Sequence, residues 1–179
     1  MADRIVAETH FLRMIDRNGW FFVERPNSTG VVTIIPLTPE RRLLFVEQFR
    51  PPLGRKVIEF PAGLMGDERG HENEDPVASA RRELIEETGY EARSLELVAS
   101  TATSPGMANE LVHFVLAWDL VRVNAGGGVA GEDIVAHEVA IADTGAWLHA
   151  QEGKGLVIAA KVYAGLYFAI ARWGVPALP

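Results

Sequence analysis

The alternation of apolar and polar residues along the first part of the chain predicts short β-strands. Residues 4–13 alternate loosely, residues 16–19 form a turn signal, and residues 20–24 are a second apolar run, so we expect a hairpin here. The apolar run at residues 31–35 is followed by Pro36, as expected for a strand that proline cannot continue. Further strands are predicted at residues 31–35, 43–49, 57–60, 94–100, 111–120 and 137–141.

The helix at the centre of the chain is the clearest element of this pattern. Asp75 suits an N-cap, Pro76 suits a first helical position where its missing N–H costs nothing, and Gly89 suits a C-terminal stop. The sequence therefore predicts a helix over residues 76–88. Further helices are predicted at residues 144–151 and 156–173.

The order of these elements limits the fold class. Mixed strands with a few helices do not give the regular alternation of a parallel α/β sheet. We therefore expect an α+β fold or a mixed-sheet sandwich. Half-buried strands at the front of such a chain need a partner surface, which favours a dimer.

Three carboxylates crowd the end of the central helix, where a stability argument alone would not place them. Glu86 and Glu87 lie in the last turn, beside the negative end of the helix dipole. Glu83 lies one turn earlier, only about 40° around the axis from Glu87. One interpretation is a solvated acidic face. The other is a site for a divalent cation such as Mg²⁺, which takes oxygen ligands and often shares them with phosphates.

The stretch from Arg82 to Tyr90 favours the second interpretation, because it fits Arg-Glu-apolar-x-Glu-Glu-x-Gly-apolar at every fixed position. It resembles the motif of the Nudix hydrolases. The family pattern opens with a glycine, here Gly63, but ten residues rather than five separate it from Glu74. We interpret residues 66–73 as a lengthened loop and hypothesise that it forms a lid or rim against the distal ribose.

The resemblance implies an α/β/α Nudix sandwich with a mixed sheet, within the α+β class, plus an N-terminal antiparallel β-sheet. It implies a β-hairpin region at residues 1–30, which forms a homodimer, and a Nudix hydrolase domain at residues 31–179. The implied cofactor is Mg²⁺, or Mn²⁺ or another divalent cation. The implied metal ligands are Ala62 through its carbonyl, Glu83, Glu86, Glu87 and Glu132, and the implied catalytic residues are Glu132, Glu86 and Arg82.

Residues 47–54 and 58–64 narrow the resemblance to the ADP-ribose pyrophosphatase branch. The predicted substrate contacts here are Arg50, Glu59 and Gly63. Gly63 lets the backbone approach a ligand closely. Arg50 ends a strand, where it either clamps a phosphate with two hydrogen bonds or forms an ion pair with Glu59, and spacing leaves both open.

A tight loop at residues 104–107 supplies further predicted substrate contacts, Pro105, Gly106 and Met107. A proline at this distance from the motif marks the ADP-ribose group of the family, whereas an ordinary Pro-Gly turn is the alternative. Glu110, just beyond the loop, suits a hydrogen bond to a ribose hydroxyl or a solvated carboxylate.

The glycine-rich residues 126–133 are expected to be a mobile loop that carries an acid to the site once substrate and metal are bound. Enzymes that the chain resembles place their general base on this loop, in an acidic cluster before an Ile or Phe. Glu132 is the expected base. Asp133 and Glu110 are the alternatives, and a loop acid that only adds solubility is the remaining interpretation.

Trp20 and Arg25 are the candidates from the N-terminal strands. Core burial is the usual fate of a tryptophan. Related enzymes, however, stack adenine on an aromatic residue from this region, often across a dimer interface, and Arg25 would then approach the pyrophosphate. The histidines show no metal spacing, and we interpret Trp147, Trp173 and the aromatic residues of the last helix as core.

Composition and charge exclude several other classes. The net charge of −7 argues against sequence-independent binding of nucleic acid. The chain has no cysteine, no apolar run long enough to span a bilayer and no signal peptide pattern. We therefore expect a cytoplasmic protein without a nucleic-acid or membrane partner.

The expected activity is metal-dependent hydrolysis of ADP-ribose to AMP and ribose 5-phosphate. One alternative keeps the chemistry but takes another nucleoside diphosphate sugar or a dinucleotide. A second alternative, from another class, is a sensor of Nudix fold that binds ADP-ribose without cleaving it. The last alternative is a purely structural scaffold role.

Overall fold

The computed structural model describes residues 3–67, 74–128 and 133–174. The strands are β1 (Arg4–Glu8), β2 (Arg13–Arg17), β3 (Trp20–Glu24), β4 (Gly30–Pro36), β5 (Arg42–Arg50), β6 (Arg55–Glu59), β7 (Ala62–Met65), β8 (Tyr90–Ala102), β9 (Leu111–Arg122), β10 (Val135–Ala140) and β11 (Val157–Ile158). The α-helices are α1 (Pro76–Thr88), α2 (Thr144–Gly153) and α3 (Ala160–Trp173), and short 3₁₀ helices span Pro51–Leu53 and Ile141–Asp143.

The strands form three sheets. Strands β1, β2 and β3 make an antiparallel N-terminal sheet. A second sheet has the order β10–β5–β6–β11, and a third has the order β7–β4–β9–β8. Both four-stranded sheets are mixed, because β11 runs parallel to β6 and β4 runs parallel to β9. The predicted α+β class with a mixed sheet and an N-terminal antiparallel sheet is confirmed.

Strand β4 separates two hydrophobic cores. Val32 and Ile34 are fully buried in the core that also contains Leu84 of α1. Ile35 belongs to the other core, together with Leu166 of α3. Because alternate side chains of a strand point to opposite faces, one continuous apolar run serves both cores. The helices therefore lie on both sides of the sheets, as in an α/β/α sandwich.

Helix α1 has the ends that its sequence predicts. The Asp75 carboxylate accepts hydrogen bonds from the N–H groups of Val77 and Ala78, at 2.9 and 3.1 Å. At the other end, Gly89 is left-handed and its N–H donates to the carbonyl of Ile85. These caps stop the helix at fixed points, and so they determine where along the sheet its glutamates lie.

The N-terminal region is a three-stranded sheet rather than the single hairpin expected. Residues 4–13 do not form one strand, because the chain reverses between β1 and β2. At this turn, Oγ1 of Thr9 accepts hydrogen bonds from the N–H groups of Phe11 and Leu12. A hydroxyl that bonds nearby backbone in this way competes with strand pairing, and it explains why loose alternation was misleading.

Two short strands, β7 and β11, are absent from the sequence prediction. Strand β11 takes the first residues of the helix predicted at 156–173, so that α3 begins only at Ala160. The aromatic residues of α3 are not all core either, since Tyr163 and Tyr167 are exposed. No helix within the described ranges is long and apolar enough to cross a bilayer.

The N-terminal sheet is joined to the sandwich through β3. The N–H of Val23 donates to the carbonyl of Met107 at 2.8 Å, so that the loop before β9 extends the edge of this sheet. Large apolar side chains of the region remain exposed, among them Phe11, Trp20 and Phe21. The sheet is therefore attached along one edge and carries uncovered apolar surface.

Candidate active site

A cleft with a volume of about 640 Å³ is lined by α1, β7, the end of β5, β6 and the start of α3. We divide its lining into two parts. The acidic wall comprises Ala62, Gly63, Arg82, Glu83, Glu86 and Glu87, and the basic wall comprises Arg50, Glu59 and Lys161. Apart from Lys161, all of these residues were expected at the site from the sequence.

Glycine is required at position 63 because the side chain of Glu83 packs against it. A Cβ built on Gly63 would overlap the Glu83 carboxyl group. The neighbouring N–H of Ala62 donates to Oε2 of Glu87 at 3.0 Å. The glycine was expected to admit a ligand, but here it admits a side chain of the protein itself. Strand β7 thus holds two glutamates of α1 against its backbone.

Arg82 holds the acidic wall together by ion pairing. Its Nη1 lies 2.8 Å from Oε1 of Glu83 and 3.2 Å from Oε2 of Glu86. Its Nη2 lies 3.4 Å from Oε2 of Glu74 and also donates to the carbonyl of Leu64. Glu74 therefore reaches the helix. Most of the lengthened loop predicted before it, residues 68–73, lies outside the described residues. The guanidinium neutralises carboxylates that would otherwise repel one another.

The protonation of Glu83 reflects its burial first and the crowding of acids second. Burial raises the pKa of Glu83 to about 7, and the nearby charges of Glu86 and Asp67 also raise it, whereas Arg82 opposes the rise. Only 12% of the Glu83 side chain is exposed. A carboxyl group whose pKa is raised to about neutral pH is unfavourable in its charged form. A nearby positive charge would stabilise that form.

The acidic wall offers the donors that a hard divalent cation prefers, namely carboxylate oxygens and a backbone carbonyl. A cation would also relieve the repulsion that raises the pKa of Glu83. In the described ranges, no three acids or histidines already converge as a metal centre. Glu83 and Glu86 instead face Arg82. The donor set fits a divalent cation, and binding requires these carboxylates to turn from Arg82 toward the cleft.

The basic wall is built around a buried carboxylate. Nε and Nη2 of Arg50 both lie 2.6 Å from Oε2 of Glu59, so the ion pair that spacing left open is formed. Nζ of Lys161 lies 3.9 Å from the other carboxylate oxygen of Glu59. Two cations share one buried carboxylate, and the wall therefore keeps net positive charge. Because Arg50 remains 39% exposed, it can still contact a ligand in the cleft.

Lys161 is a cleft residue that sequence reasoning missed. It lies inside the apolar run at residues 156–173, which predicts a helix with core aromatic residues. The first turn of α3 instead brings its amine to the cleft, with 25% of the side chain exposed. Burial lowers the pKa of Lys161, Arg50 lowers it further, and the acids of the cleft oppose this. The lysine in an apolar run was the available signal.

Arg25 and Glu110, two of the predicted substrate contacts, lie together at the cleft. Nε of Arg25 is 2.9 Å from Oε1 of Glu110, and both residues line the cleft. They also line a neighbouring cavity of about 260 Å³. The Glu110 carboxylate is therefore engaged by an arginine rather than presented alone to a ligand.

Trp20 and Pro105 lie together, but outside the cleft. They line a separate cavity of about 170 Å³. Trp20 is 64% exposed and is therefore not a core residue. Gly106 and Met107 are not among the described residues that line the cleft. Within one chain, the structure thus separates the predicted adenine contacts from the acidic wall.

The glycine-rich loop at residues 126–133, which was expected to be mobile, is described only in part. Gly127 and Gly128 donate hydrogen bonds to carbonyls in the last turn of α1, each at 2.9 Å, so this part is attached to the helix. Glu132, the expected general base, lies outside the described residues. Asp133 is described and is exposed.

The mixed-sheet sandwich and a cleft lined by the glutamates of one helix together define a protein of the Nudix class. A family model for the NUDIX domain matches residues 27–159. The chain therefore belongs to the Nudix family, and the resemblance seen in its sequence is confirmed.

Several relatives carry names that describe diphosphate chemistry. The ADP-ribose pyrophosphatase of Bacillus subtilis is 45% identical over 91 residues, which are 51% of this chain and 46% of that protein. The GDP-mannose pyrophosphatase of Citrobacter koseri is 39% identical over 160 residues, 78% of this chain and 79% of that protein. The methanol dehydrogenase activator of Bacillus methanolicus is 42% identical over 106 residues, 59% of this chain and 55% of that protein. The chain thus spans about half the length of the two Bacillus relatives.

A solved structure supports the fold independently. The crystal structure of an ADP compounds hydrolase matches with a TM-score of 0.62 and 20% identity, over 80% of each chain. At this identity the likeness concerns the fold. Nudix hydrolases generally need divalent cations, and in this chain the acidic wall is the part of the cleft that offers oxygen donors to one.

Proposed function

We propose that this protein hydrolyses the pyrophosphate bond of ADP-ribose to give AMP and ribose 5-phosphate, with a divalent cation. One observation carries the proposal: the acidic wall and the basic wall line the same cleft. The first offers oxygen ligands for a cation, and the second offers cations for a diphosphate. The 45% identity to an ADP-ribose pyrophosphatase supports the choice of substrate.

Mg²⁺ is the proposed cation, and Mn²⁺ is a substitute of similar chemistry. Glu83, Glu86, Glu87 and the carbonyl of Ala62 would hold it, with Glu132 as a further ligand. When bound, such a cation neutralises the diphosphate and acidifies the water that attacks phosphorus.

Arg82 and Glu86 complete the proposed catalytic set. Arg82 orients the carboxylates of Glu83 and Glu86 through ion pairs at 2.8 and 3.2 Å. Glu86 is the more open of these two acids, with 29% of its side chain exposed against 12% for Glu83. It is therefore the one better placed to turn into the cleft toward the attacking water.

The basic wall would bind the diphosphate. Arg50 and Lys161 supply charge-assisted hydrogen bonds to its oxygens, and Arg25 adds a third cation at one end of the cleft. Glu59 orients Arg50 and Lys161, since it contacts both. Gly63, beside Glu83 in the acidic wall, would let the backbone of β7 lie close to the ligand in the cleft.

The general base would come from the loop before β10. Glu132 is our choice, with Asp133 as the alternative on the same loop. Glu110 is a weaker candidate, because its carboxylate already forms an ion pair with Arg25 at 2.9 Å. We assign Glu110 to a ribose hydroxyl instead. Replacing Glu132 with Gln should abolish turnover while leaving ADP-ribose binding largely intact, as measured by calorimetry.

Adenine recognition would require a second copy of the chain. Trp20 and Pro105 share a cavity apart from the cleft, and the exposed apolar side chains of the N-terminal sheet suit contact with a partner. We propose a homodimer formed by residues 1–30, with residues 31–179 as the Nudix domain. Gly106 and Met107 would shape the loop beside the base. Sedimentation of the full chain should show a dimer, and a monomer at micromolar concentration would exclude this arrangement.

A second candidate substrate is GDP-mannose. The relative with this name matches over 78% of the chain, a longer region than the ADP-ribose pyrophosphatase matches. A panel of ADP-ribose, GDP-mannose, other nucleoside diphosphate sugars and dinucleotides should be assayed with Mg²⁺ and product analysis. We expect the highest kcat/KM for ADP-ribose. A higher value for GDP-mannose would select the second candidate, and binding of ADP-ribose without any hydrolysis would select the sensor.

A further inference from the structure

A short glycine segment closes the end of the helix that carries the acidic wall. The N–H of Gly127 donates to the carbonyl of Glu87, and the N–H of Gly128 donates to the carbonyl of Glu86, each at 2.9 Å. Carbonyls in the last turn of a helix have no partner within the helix. We call residues 124–128, which supply these partners, the glycine cap.

The cap lies against the helix end more closely than side chains would allow. A Cβ on Gly126 would overlap the backbone of Thr88, and a Cβ on Gly89 would overlap the carbonyl of Asn124. Gly126 has a φ of 69°, in the left-handed region that favours glycine. Its N–H donates to Oδ1 of Asn124 at 2.7 Å, which holds the cap in its turn.

The cap also offsets the unfavourable electrostatics at the C-terminal end of α1. Glu86 and Glu87 lie beside the negative end of the α1 dipole, where carboxylates are unfavourable. The N–H dipoles of Gly127 and Gly128 point at this end and carry partial positive charge toward it. The last turn can therefore hold two acids without losing its helical geometry.

We propose that the glycine cap is a positioning element for the acidic wall. It fixes the last turn of α1, and through that turn it sets the direction of the Glu86 and Glu87 carboxylates, while touching neither cation nor substrate. The inference rests on the proposed function of the acidic wall as a cation site. Its consequence is that damage to the cap weakens cation binding and turnover more than it weakens the fold.

Three variants test this proposal. Gly126→Ala introduces the overlap with the helix end, and Asn124→Ala removes the acceptor of the turn without adding any atom. Gly174→Ala is the matched control, because Gly174 ends α3 with a similar φ of 65° and open space around a Cβ. Asn124→Asp keeps the acceptor and tests for rescue.

The readouts separate positioning from stability. Mn²⁺ affinity is measured by electron paramagnetic resonance, turnover by kcat and KM, and the cap by hydrogen exchange of the Gly127 and Gly128 amides. We expect Asn124→Ala to weaken Mn²⁺ binding and kcat three- to tenfold with KM within twofold, and to speed exchange at both amides. Gly126→Ala should do so more strongly, and Asn124→Asp should recover most of the loss. Gly174→Ala should lower the melting temperature alone.

Two outcomes would overturn the proposal. One is wild-type Mn²⁺ affinity and kcat in Asn124→Ala and Gly126→Ala together with faster exchange, which would make the cap structural only. The other is slow exchange in both variants, which would mean that the hydrogen bonds do not depend on this turn. If the unaltered protein cleaves no nucleoside diphosphate, the proposed function fails, but Mn²⁺ binding and exchange still decide the role of the cap.

Discussion

The two walls of the cleft are built in different ways. The acidic wall comes from one stretch of chain, β7 and α1, and its glutamates are neighbours by helical spacing. The basic wall is assembled from the end of β5, the end of β6 and the start of α3, and Lys161 lies more than a hundred residues beyond Glu59. The first wall is visible in the sequence as a whole, whereas in the second wall Arg50 and Glu59 were predicted through the family resemblance and Lys161 was missed.

The two walls also differ in how the repulsion between like charges is balanced. In the acidic wall, Arg82 bridges the carboxylates of Glu83 and Glu86, and burial raises the pKa of Glu83 to about 7. In the basic wall, Glu59 separates two cations and stays buried. Among the described residues, the acidic wall has three carboxylates and one arginine, whereas the basic wall has two cations and one carboxylate. We therefore expect substitutions in the acidic wall to act on chemistry, and those in the basic wall to act on substrate binding.

The largest expected effect is from Glu87→Gln. The amide oxygen can still accept the hydrogen bond from Ala62, so the fold should survive, but a charge beside the reacting diphosphate is lost. We expect kcat to fall roughly 10²- to 10³-fold at saturating Mg²⁺, the range typical of removing one preorganised electrostatic contact. Glu91→Gln, the same change at an exposed position on β8, should leave kcat unchanged. Normal turnover in Glu87→Gln would remove the acidic wall from the mechanism.

Gly63→Ala should be next in size. The added Cβ forces the Glu83 carboxyl group away from β7, and a misplacement of about 1 Å can cost about 100-fold in rate. We also expect a loss of unfolding free energy of about 1–3 kcal/mol from overpacking. Gly153→Ala has open space around its Cβ and serves as control in the same assays. If Gly63→Ala lost stability alone, Glu83 would not need its present position for turnover.

Lys161→Met tests the basic wall. We expect KM for ADP-ribose to rise about tenfold, which corresponds to about 1.4 kcal/mol, with little change in kcat. Because burial lowers the pKa of Lys161, its charge is lost at a lower pH than that of a surface lysine, so KM should rise early on the alkaline side. Lys161→Arg should delay that rise, because arginine stays charged. The control is Lys154→Met, an exposed position outside the cleft lining.

The last expected effect is on the free energy of unfolding in the absence of metal, and not on turnover. Because the pKa of Glu83 is raised to about 7 in the folded protein from 4.5, the folded state binds more protons between these values. Stability from this group is therefore complete below pH 4.5 and is lost as pH rises through 7. Chemical denaturation in EDTA should show a fall of about 2 kcal/mol from pH 5 to 7.5 relative to Glu83→Gln. A parallel pH profile for both proteins would show that folding does not raise the pKa of Glu83.

Local signals predicted the parts of the fold that depend on local chemistry. The cap at Asp75 and the stop at Gly89 gave the correct bounds of α1. The N-terminal region was harder, because Thr9 turns the chain through side-chain bonds that loose alternation does not reveal. The two-residue strand β11 was hidden in an apolar run, since a run of that kind suits a buried strand and a buried helix equally.

In the candidate site too, features set by neighbouring residues were predicted, and contacts between distant elements were not. The acids of α1 follow from spacing along a helix. The ion pair of Arg50 with Glu59 was one of two alternatives that spacing left open, and the structure decided between them. Lys161 and the separation of Trp20 from the cleft do not follow from spacing, because each depends on how distant elements pack. The glycine-rich segment was expected to be mobile, yet its first half is bound to the end of α1.

The sequence by itself determined the helix, its caps, its crowded carboxylates and the family to which they belong, since these depend on residues within a few turns of one another. Only the tertiary structure decided which cations reach those carboxylates and what closes the end of the helix. Contacts of that kind join residues far apart in the chain, and burial and packing select them rather than local backbone preference.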